Sequence, residues 1–417
     1  MGSILVGHTD SLFGNVPIQG AKNSALPILA ATILCTGTCI VNNCPDLSDV
    51  NSTVDILKAL GAKVKKEKNC ITVDSSNINS YIVPQEMMTK LRSSILFLGS
   101  VVSRMGKAEL YLPGGCKLGP RPIDWHLKAL SDMGLEISLQ NDMLKCETYG
   151  KLKGTQILLP LPSVGATENI ILAAVLARGT TIIKNAAREP EICDLCNFLS
   201  SCGARIFGAG SSTIEIIGVD ELYGTEHNVI PDRIVAATFM SATAITTGKV
   251  TLLNVVPKHL KSISKVIKKS GCMISTTQDT LTIESSGEIK SVGKVITDPY
   301  PGFPTDAQAL IMAMCTIAKG NSEFVENIFE NRYKHVEELL KLGADINVVG
   351  KKAIVNGVES LYGNHLKAKD LRGAAALIVA SLAAKGETII EGSEHLDRGY
   401  ENFELHFKNI GANIKRI

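Results

Sequence analysis

One cysteine in this 417-residue chain stands in a setting suited to chemistry. The run Leu112-Pro113-Gly114-Gly115-Cys116-Lys117-Leu118-Gly119-Pro120-Arg121-Pro122-Ile123-Asp124 crowds Cys116 with glycine and proline. Glycine lets a backbone turn where side chains would clash, and proline fixes φ, so such a loop bends sharply yet holds a shape. Lys117 and Arg121 bring positive charge near the sulfur, which favours the thiolate. An electropositive cysteine loop suits a reaction on an anionic substrate. The same residues would also make a plain surface turn with an incidental cysteine, so the loop's context has to choose between the two.

That context includes a pattern of cations. Six Ala- and Leu-rich stretches end near Gly37, Gly106, Gly179, Gly248, Gly320 and Gly386. Roughly three to four helical turns upstream stand Lys22-Asn23, Leu91-Arg92, Thr167-Glu168, Asp232-Arg233, Thr305-Asp306 and Leu371-Arg372. Helix N-termini carry free N–H groups and partial positive charge, and so bind anions. Asp232 and Asp306 fit ordinary N-caps. Lysine and arginine do not, because their charge opposes the dipole. Their repetition points to a bound anion. If two domains face each other through these ends, the cleft between them attracts anions strongly.

These helices belong to a repeated unit. A helix closing on glycine, followed by a strand, recurs as Leu60-Gly61-Ala62-Lys63-Val64, Met133-Gly134-Leu135-Glu136-Ile137, Cys202-Gly203-Ala204-Arg205-Ile206, Ser270-Gly271-Cys272-Met273-Ile274, Leu342-Gly343-Ala344-Asp345-Ile346 and Ile410-Gly411-Ala412-Asn413-Ile414. Glycine just past a helical pattern is the usual left-handed cap. The Ala- and Leu-rich helices, such as residues 374–384, are apolar nearly all round and belong in a core. The others, such as Val336-Glu337-Glu338-Leu339-Leu340-Lys341, are amphipathic and should face solvent. Each unit then supplies one buried helix, one exposed helix and about four strands, and is longer than solenoid repeats. The chain is also longer than one core usually supports. It reads as two α/β domains of three units each, with buried helices and outer sheets. The first domain is 22–229, and the second is 1–21 plus 230–417. The crossover falls at residues 225–230.

Composition narrows the partners. Net charge is +2, so no basic footprint for nucleic acid exists and no acidic tail. The longest apolar run, Ser24 to Val41, is broken by Pro27, Gly37 and threonines, and reads as core, with no membrane span. The first residues lack the basic and apolar regions of a secretory signal. Eleven cysteines without a framework suggest free thiols in a reducing cytoplasm. Cys193-Asp194-Leu195-Cys196 has no second pair at zinc-finger spacing, and its helical surroundings point to buried helix cysteines.

Together these residues resemble the UDP-N-acetylglucosamine enolpyruvyl transferases (1-carboxyvinyltransferases) of the EPSP synthase superfamily, over essentially the whole chain. The resemblance rests on Gly20-Ala21-Lys22-Asn23-Ser24-Ala25-Leu26-Pro27-Ile28, the Pro-Gly-Gly-Cys loop with Arg121-Pro122, Ser163-Val164-Gly165-Ala166-Thr167 and Asn185-Ala186-Ala187-Arg188-Glu189-Pro190-Glu191. It rests equally on Phe303-Pro304-Thr305-Asp306, Phe329-Glu330-Asn331-Arg332, Asp370-Leu371-Arg372 and Asp397-Arg398-Gly399-Tyr400. It implies an inside-out α/β barrel fold with the active site between two domains. It implies transfer of the enolpyruvyl group of phosphoenolpyruvate to the 3-hydroxyl of UDP-N-acetylglucosamine, with release of phosphate. That is the committed step of peptidoglycan synthesis, in the cytoplasm, with no metal or organic cofactor. No oligomeric state follows from it.

By the same resemblance, Cys116 is the general acid and can form an adduct with phosphoenolpyruvate. A thiol suits this because its pKa of about 8.5 lies near working pH. Asp306 takes the hydroxyl proton. Lys22, Arg121 and Arg398 hold the phosphate, and Arg92 and Arg372 complete the anion pocket. Asn23 and Asp306 contact the sugar. Arg121, Pro122, Ile123, Asp124, Ser163, Val164, Gly165 and Ile328 line the nucleotide pocket, and Arg332 and Asp370 join the substrate-binding set. Leu161 departs from relatives that carry lysine there, which removes a charge near the nucleotide. Some family members carry aspartate in place of the cysteine and resist fosfomycin. Two rivals remain. One is the shikimate-pathway enolpyruvyl transferase, which shares fold and phosphoenolpyruvate. The other is a catalytically silent paralogue, against which the full set of candidate residues argues.

Overall fold

A computed structural model describes residues 2–113 and 123–417. Cys116, Lys117, Arg121 and Pro122 lie outside the described residues. The chain divides into two units. One takes residues 2–19 and 231–417, the other 20–113 and 123–230.

In the second of these, the helix Val164–Ala174 shows how a repeat is built. The strand Gln156–Leu158 precedes it and pairs in parallel with Thr180–Lys184, which follows it. The helix Pro190–Ser201 leads into the hairpin Arg205–Phe207 and Thr213–Ile217, which completes a four-stranded sheet. Along Thr180–Lys184, Thr181 and Ile183 are buried while Thr180 is exposed, the two-residue alternation of a strand with one face on a core. Two sister four-stranded sheets and a two-stranded one, Cys35–Thr36 with Leu222–Tyr223, complete this unit. One of them places Glu226–Asn228, from the end of the unit, beside Thr38–Asn42 near its start.

The helix Leu96–Met105 packs on both Val164–Ala174 and Lys22–Ala31. Its approach to Val164–Ala174 requires glycine. A Cβ on Gly99 would stand 2.4 Å from Asn169 Oδ1, which instead accepts the Gly99 N–H at 2.7 Å.

The other unit repeats the plan. The helices Arg233–Ile245, Thr305–Cys315 and Leu371–Ala383 pack on one another, flanked by three four-stranded sheets. Every residue of Leu371–Ala383 except the last is buried. Each large aliphatic side chain there contributes roughly 1.5–3 kcal/mol of burial. Strands from the chain's first residues finish two of the sheets: Ser3–Gly7 pairs with Glu387–Glu391, and Ser11–Pro17 with Thr247–Leu253. Helices inside and sheets outside are thus the arrangement in both units, as the repeats predict. The glycines at 61, 134, 203, 271, 343 and 411 all adopt positive φ, one residue past the cap of each outer helix.

Two local expectations fail. The third buried helix starts at Val164, not at Thr167-Glu168, because Ser163 caps it and its Oγ accepts the Ala166 N–H at 3.3 Å. Thr167 and Glu168 are buried inside the helix. The helix Pro190–Ser201 is more buried than an outer helix is expected to be, with only Asn197, Ser200 and Ser201 exposed. It packs against Lys22–Ala31, and its Asp194 is buried, accepting from Ser24 Oγ at 2.5 Å and the Ile230 N–H at 3.2 Å, with His227 Nε2 at 2.9 Å. Of the two cysteines expected to be buried in this helix, Cys196 is buried and Cys193 is half-buried. Among the described residues no helix is long and apolar enough to cross a membrane.

Candidate active site

In the unit that includes Pro231–Ile417, the site is built around one carboxylate. Asp306 is the second residue of the helix Thr305–Cys315, whose N-cap is Pro304. The expectation that Asp306 is a plain N-cap is therefore wrong. Its Oδ1 accepts from Arg332 Nη2 at 2.6 Å, and its Oδ2 from Arg372 Nη2 at 2.8 Å. The arginine side chains are 3% and 7% exposed and that of Asp306 is 27% exposed. The carboxylate thus faces outward between two nearly buried guanidinium groups. Charge-assisted bonds of this kind are about twice as strong as neutral ones and fix orientation.

Each arginine is itself positioned. Arg372 is the second residue of Leu371–Ala383. Asp370 caps that helix, its Oδ1 accepting from the backbone N–H of Arg372 at 3.0 Å and of Gly373 at 2.9 Å. Burial works against the Arg372 charge, but Asp306, Tyr400 and Asp232 outweigh it and hold the pKa above the ordinary arginine value. The structure gives Asp370 this capping task. Arg332 also donates to the Thr305 carbonyl, from Nη2 at 3.2 Å.

Sequence reasoning missed Glu326. It is buried, accepts the Thr305 hydroxyl at 2.9 Å, and accepts the N–H groups of Ile328 at 2.8 Å and Phe329 at 3.1 Å. One carboxylate therefore ties the start of the Asp306 helix to the loop that carries Ile328, which is 37% exposed. His335, also missed, is buried. Burial first, and Arg332 next against the opposing pull of Asp370, bring it down to about 4, so the imidazole is neutral beside the arginine. Arg398 ends the short helix Ser393–Arg398 and is partly exposed.

The other unit contributes a second group. Lys22 opens Lys22–Ala31 after an uncapped Ala21, and its Nζ lies 3.2 Å from Asp49 Oδ2. Asn23 is exposed beside it. Arg92 opens the 3₁₀ turn Arg92–Ile95 and reaches the Pro113 carbonyl at 3.5 Å, at the edge of the described residues. Ile123 is buried and Asp124 exposed at the start of Asp124–Asp132. Ser163, Val164 and Gly165 are half-buried at the start of Val164–Ala174, and Leu161 is exposed before them.

The residue that joins these last pieces is His126, another omission of the sequence reading. Burial and the Arg92 charge push its pKa down to about 4. Its Nδ1 lies 3.0 Å from Asn169 Nδ2, which also donates to the Ile95 carbonyl at 3.1 Å. The amide is a donor, so Nδ1 accepts and the proton sits on Nε2. A Cβ on Gly165 would come 3.4 Å from that Nε2, so glycine keeps the ring uncovered. Neither His126 nor His335 carries a sequence signal, since each partner set is assembled only by the fold.

Comparison with known proteins agrees with this architecture. The family model for EPSP synthase (3-phosphoshikimate 1-carboxyvinyltransferase) matches residues 6–407, which places the protein among the carboxyvinyltransferases. The crystal structure of the enolpyruvyl transferase NikO from Streptomyces tendae shares the fold. It superposes with a TM-score of 0.90 at 23% identity, over 100% of this chain and 99% of that one. A UDP-N-acetylglucosamine 1-carboxyvinyltransferase 2 of Caldanaerobacter subterraneus is 47% identical over 100% of both chains. A UDP-N-acetylglucosamine 1-carboxyvinyltransferase of Finegoldia magna is 47% identical over 99% of this chain and 98% of its own. The chain belongs to the EPSP synthase family, on its UDP-N-acetylglucosamine 1-carboxyvinyltransferase branch.

Proposed function

We propose that this protein transfers the enolpyruvyl group of phosphoenolpyruvate to the 3-hydroxyl of UDP-N-acetylglucosamine, releasing phosphate, as the committed step of peptidoglycan synthesis in the cytoplasm. The observation that carries the reading is the Asp306 carboxylate, held between Arg332 and Arg372 at the start of a buried helix. In the addition step, the sugar oxygen bonds to C2 of phosphoenolpyruvate, its proton passes to Asp306, and C3 takes a proton. In the elimination step, the C2–phosphate bond breaks and C3 loses a proton, restoring the double bond as an enol ether.

The two guanidinium groups fix the direction of the Asp306 carboxylate. Cys116 delivers the proton to C3. Lys22, Arg121 and Arg398 hold the phosphate, with Arg92 and Arg372 on the remaining anionic groups. Fixed cations aimed at developing charge commonly account for about 10²–10³ in rate each. Asn23 meets the sugar. Arg121, Pro122, Ile123, Asp124, Ser163, Val164, Gly165 and Ile328 meet the nucleotide.

Mass spectrometry of the products tests this directly. Incubation with both substrates should yield the enolpyruvyl ether of UDP-N-acetylglucosamine and an equal amount of phosphate. Phosphate without the ether, or no reaction by folded protein, would overturn the proposal.

A further inference from the structure

Three cysteines meet in the unit that carries Lys22, two of them four residues apart and the third far along the chain. Cys35, Cys39 and Cys202 are each 1% exposed or less, and their three sulfurs lie within 4.8 Å of one another. Among the described residues no other group of three histidine, cysteine, aspartate or glutamate side chains converges this way.

The backbone around them is fixed. Cys35 follows the 3₁₀ turn Thr32–Leu34, and Cys39 lies in the strand Thr38–Asn42, with Gly37 turning the chain between them at φ +91°. Cys202 caps Pro190–Ser201. One passing segment ties all three down. Leu222 pairs with Cys35, the Tyr223 N–H donates to the Cys202 carbonyl at 2.8 Å, and the Ile40 N–H donates to the Thr225 carbonyl at 2.8 Å.

The fold does not demand sulfur here. Counted from the same repeat glycines, the equivalent residues of the other unit are Thr246, Val250 and Ile410, and all three are buried there. Threonine, valine and isoleucine stand at those three places, while cysteine occupies all three in this unit.

We propose that Cys35, Cys39 and Cys202 form a binding site for a divalent thiophilic metal ion of the zinc class. Three sulfurs about 2.3 Å from a zinc ion stand roughly 4 Å apart, a separation inside the 4.8 Å that bounds the three here. Soft thiolates select such ions. Coordination forms three metal–sulfur bonds, and each thiol that is protonated beforehand releases its proton to solvent. A divalent ion with three thiolates carries one negative charge, whereas a monovalent ion would leave two. The smaller buried charge is the cheaper to desolvate. Thr38, Gly203 and Tyr223, next to these positions in the chain or in the pairing, are exposed. Bound by the three sulfurs, the ion would tie the 35–39 turn to the end of Pro190–Ser201.

The test uses the full, reduced chain, stripped with chelator and dialysed against zinc. One equivalent should remain bound, X-ray absorption should show three sulfur neighbours, and the cadmium-loaded protein should show a thiolate charge-transfer band. Cys39→Ala and Cys202→Ala, each checked for folding by circular dichroism, should lose that equivalent and the band. Less than stoichiometric binding, a shell of nitrogen and oxygen, a disulfide among the three sulfurs in the reduced chain, or full retention in either folded variant would overturn the proposal.

Discussion

Replacing Asp306 with asparagine isolates the charge at the centre of the site while keeping its shape. The carboxylate receives two charge-assisted bonds, at 2.6 and 2.8 Å. Asparagine keeps one oxygen and turns its NH₂ towards the second guanidinium, donor against donor. One charged bond, about 1.5–3 kcal/mol, is lost outright. The remaining pair attraction also falls. Breaking a fully buried ion pair costs roughly 3–5 kcal/mol, but the Asp306 side chain is 27% exposed, so the lower part of that range applies. A loss of about 2–4 kcal/mol in the stability of this unit is expected, together with a fall in turnover of at least about a hundredfold from removal of the proton acceptor. Phosphate release at saturating substrates gives the second number, and urea unfolding followed by circular dichroism gives the first. Pairing Asp306→Asn with Arg332→Met in a double-mutant cycle should show coupling of about 1–3 kcal/mol in stability. Turnover within a few-fold of the unaltered protein would refute the proton-acceptor role. Additive stability losses would refute the claim that the guanidinium groups hold the carboxylate.

Other outcomes follow from the same arrangement. Cys116 should be the cysteine alkylated fastest by fosfomycin, and more so with UDP-N-acetylglucosamine bound, since eight of the ten described cysteines are buried; peptide mapping reads this, and a label elsewhere contradicts it. Cys116→Asp should keep some turnover and lose fosfomycin sensitivity. Lys22→Ala and Arg398→Ala should each lower turnover by about 10²–10³, while Arg205→Ala, on an exposed strand position, should be nearly silent; equal losses in all three would count against the assignments. His126 and His335 are both held at about 4, below their ordinary 6.5. Unfolding therefore takes up protons between those values, so stability is complete above pH 6.5 and falls as pH drops towards 4. The loss should be about 2 kcal/mol per histidine by pH 5, and His126→Gln should remove its share of the slope in urea midpoints; an unchanged slope would show that this ring is not held neutral. Trp125, half-buried at the start of Asp124–Asp132, should change fluorescence saturably with UDP-N-acetylglucosamine and less with phosphoenolpyruvate, and a flat titration of active protein would mean that its surroundings are rigid.

The buried helices and their closing glycines were legible in the sequence because both signals are local. A run that is apolar all round has nowhere to go but a core, and a glycine past a helix declares its own backbone conformation. Asp306 was misread as a cap for the opposite reason. Its partners come from 26 and 66 residues away, and next to Thr305 an aspartate carries the usual mark of a helix start. Glu326, His126 and His335 left no mark because their tasks exist only once the loops and helices are packed. The cluster of Cys35, Cys39 and Cys202 was hidden in the same way, although its members lie beside repeat glycines that the sequence displays. In the helix Pro190–Ser201, Glu191 and Asp194 are buried, and the structure meets Asp194 with partners that the sequence does not announce.

The most direct test of the central claim is phosphate release measured with phosphoenolpyruvate and each of two acceptors in turn. Saturable release with UDP-N-acetylglucosamine, and none above background with shikimate 3-phosphate, is the predicted result. Release with shikimate 3-phosphate alone would contradict the account and assign the chain to the other acceptor of its family. Release with neither, from folded protein, would contradict it in favour of a silent relative.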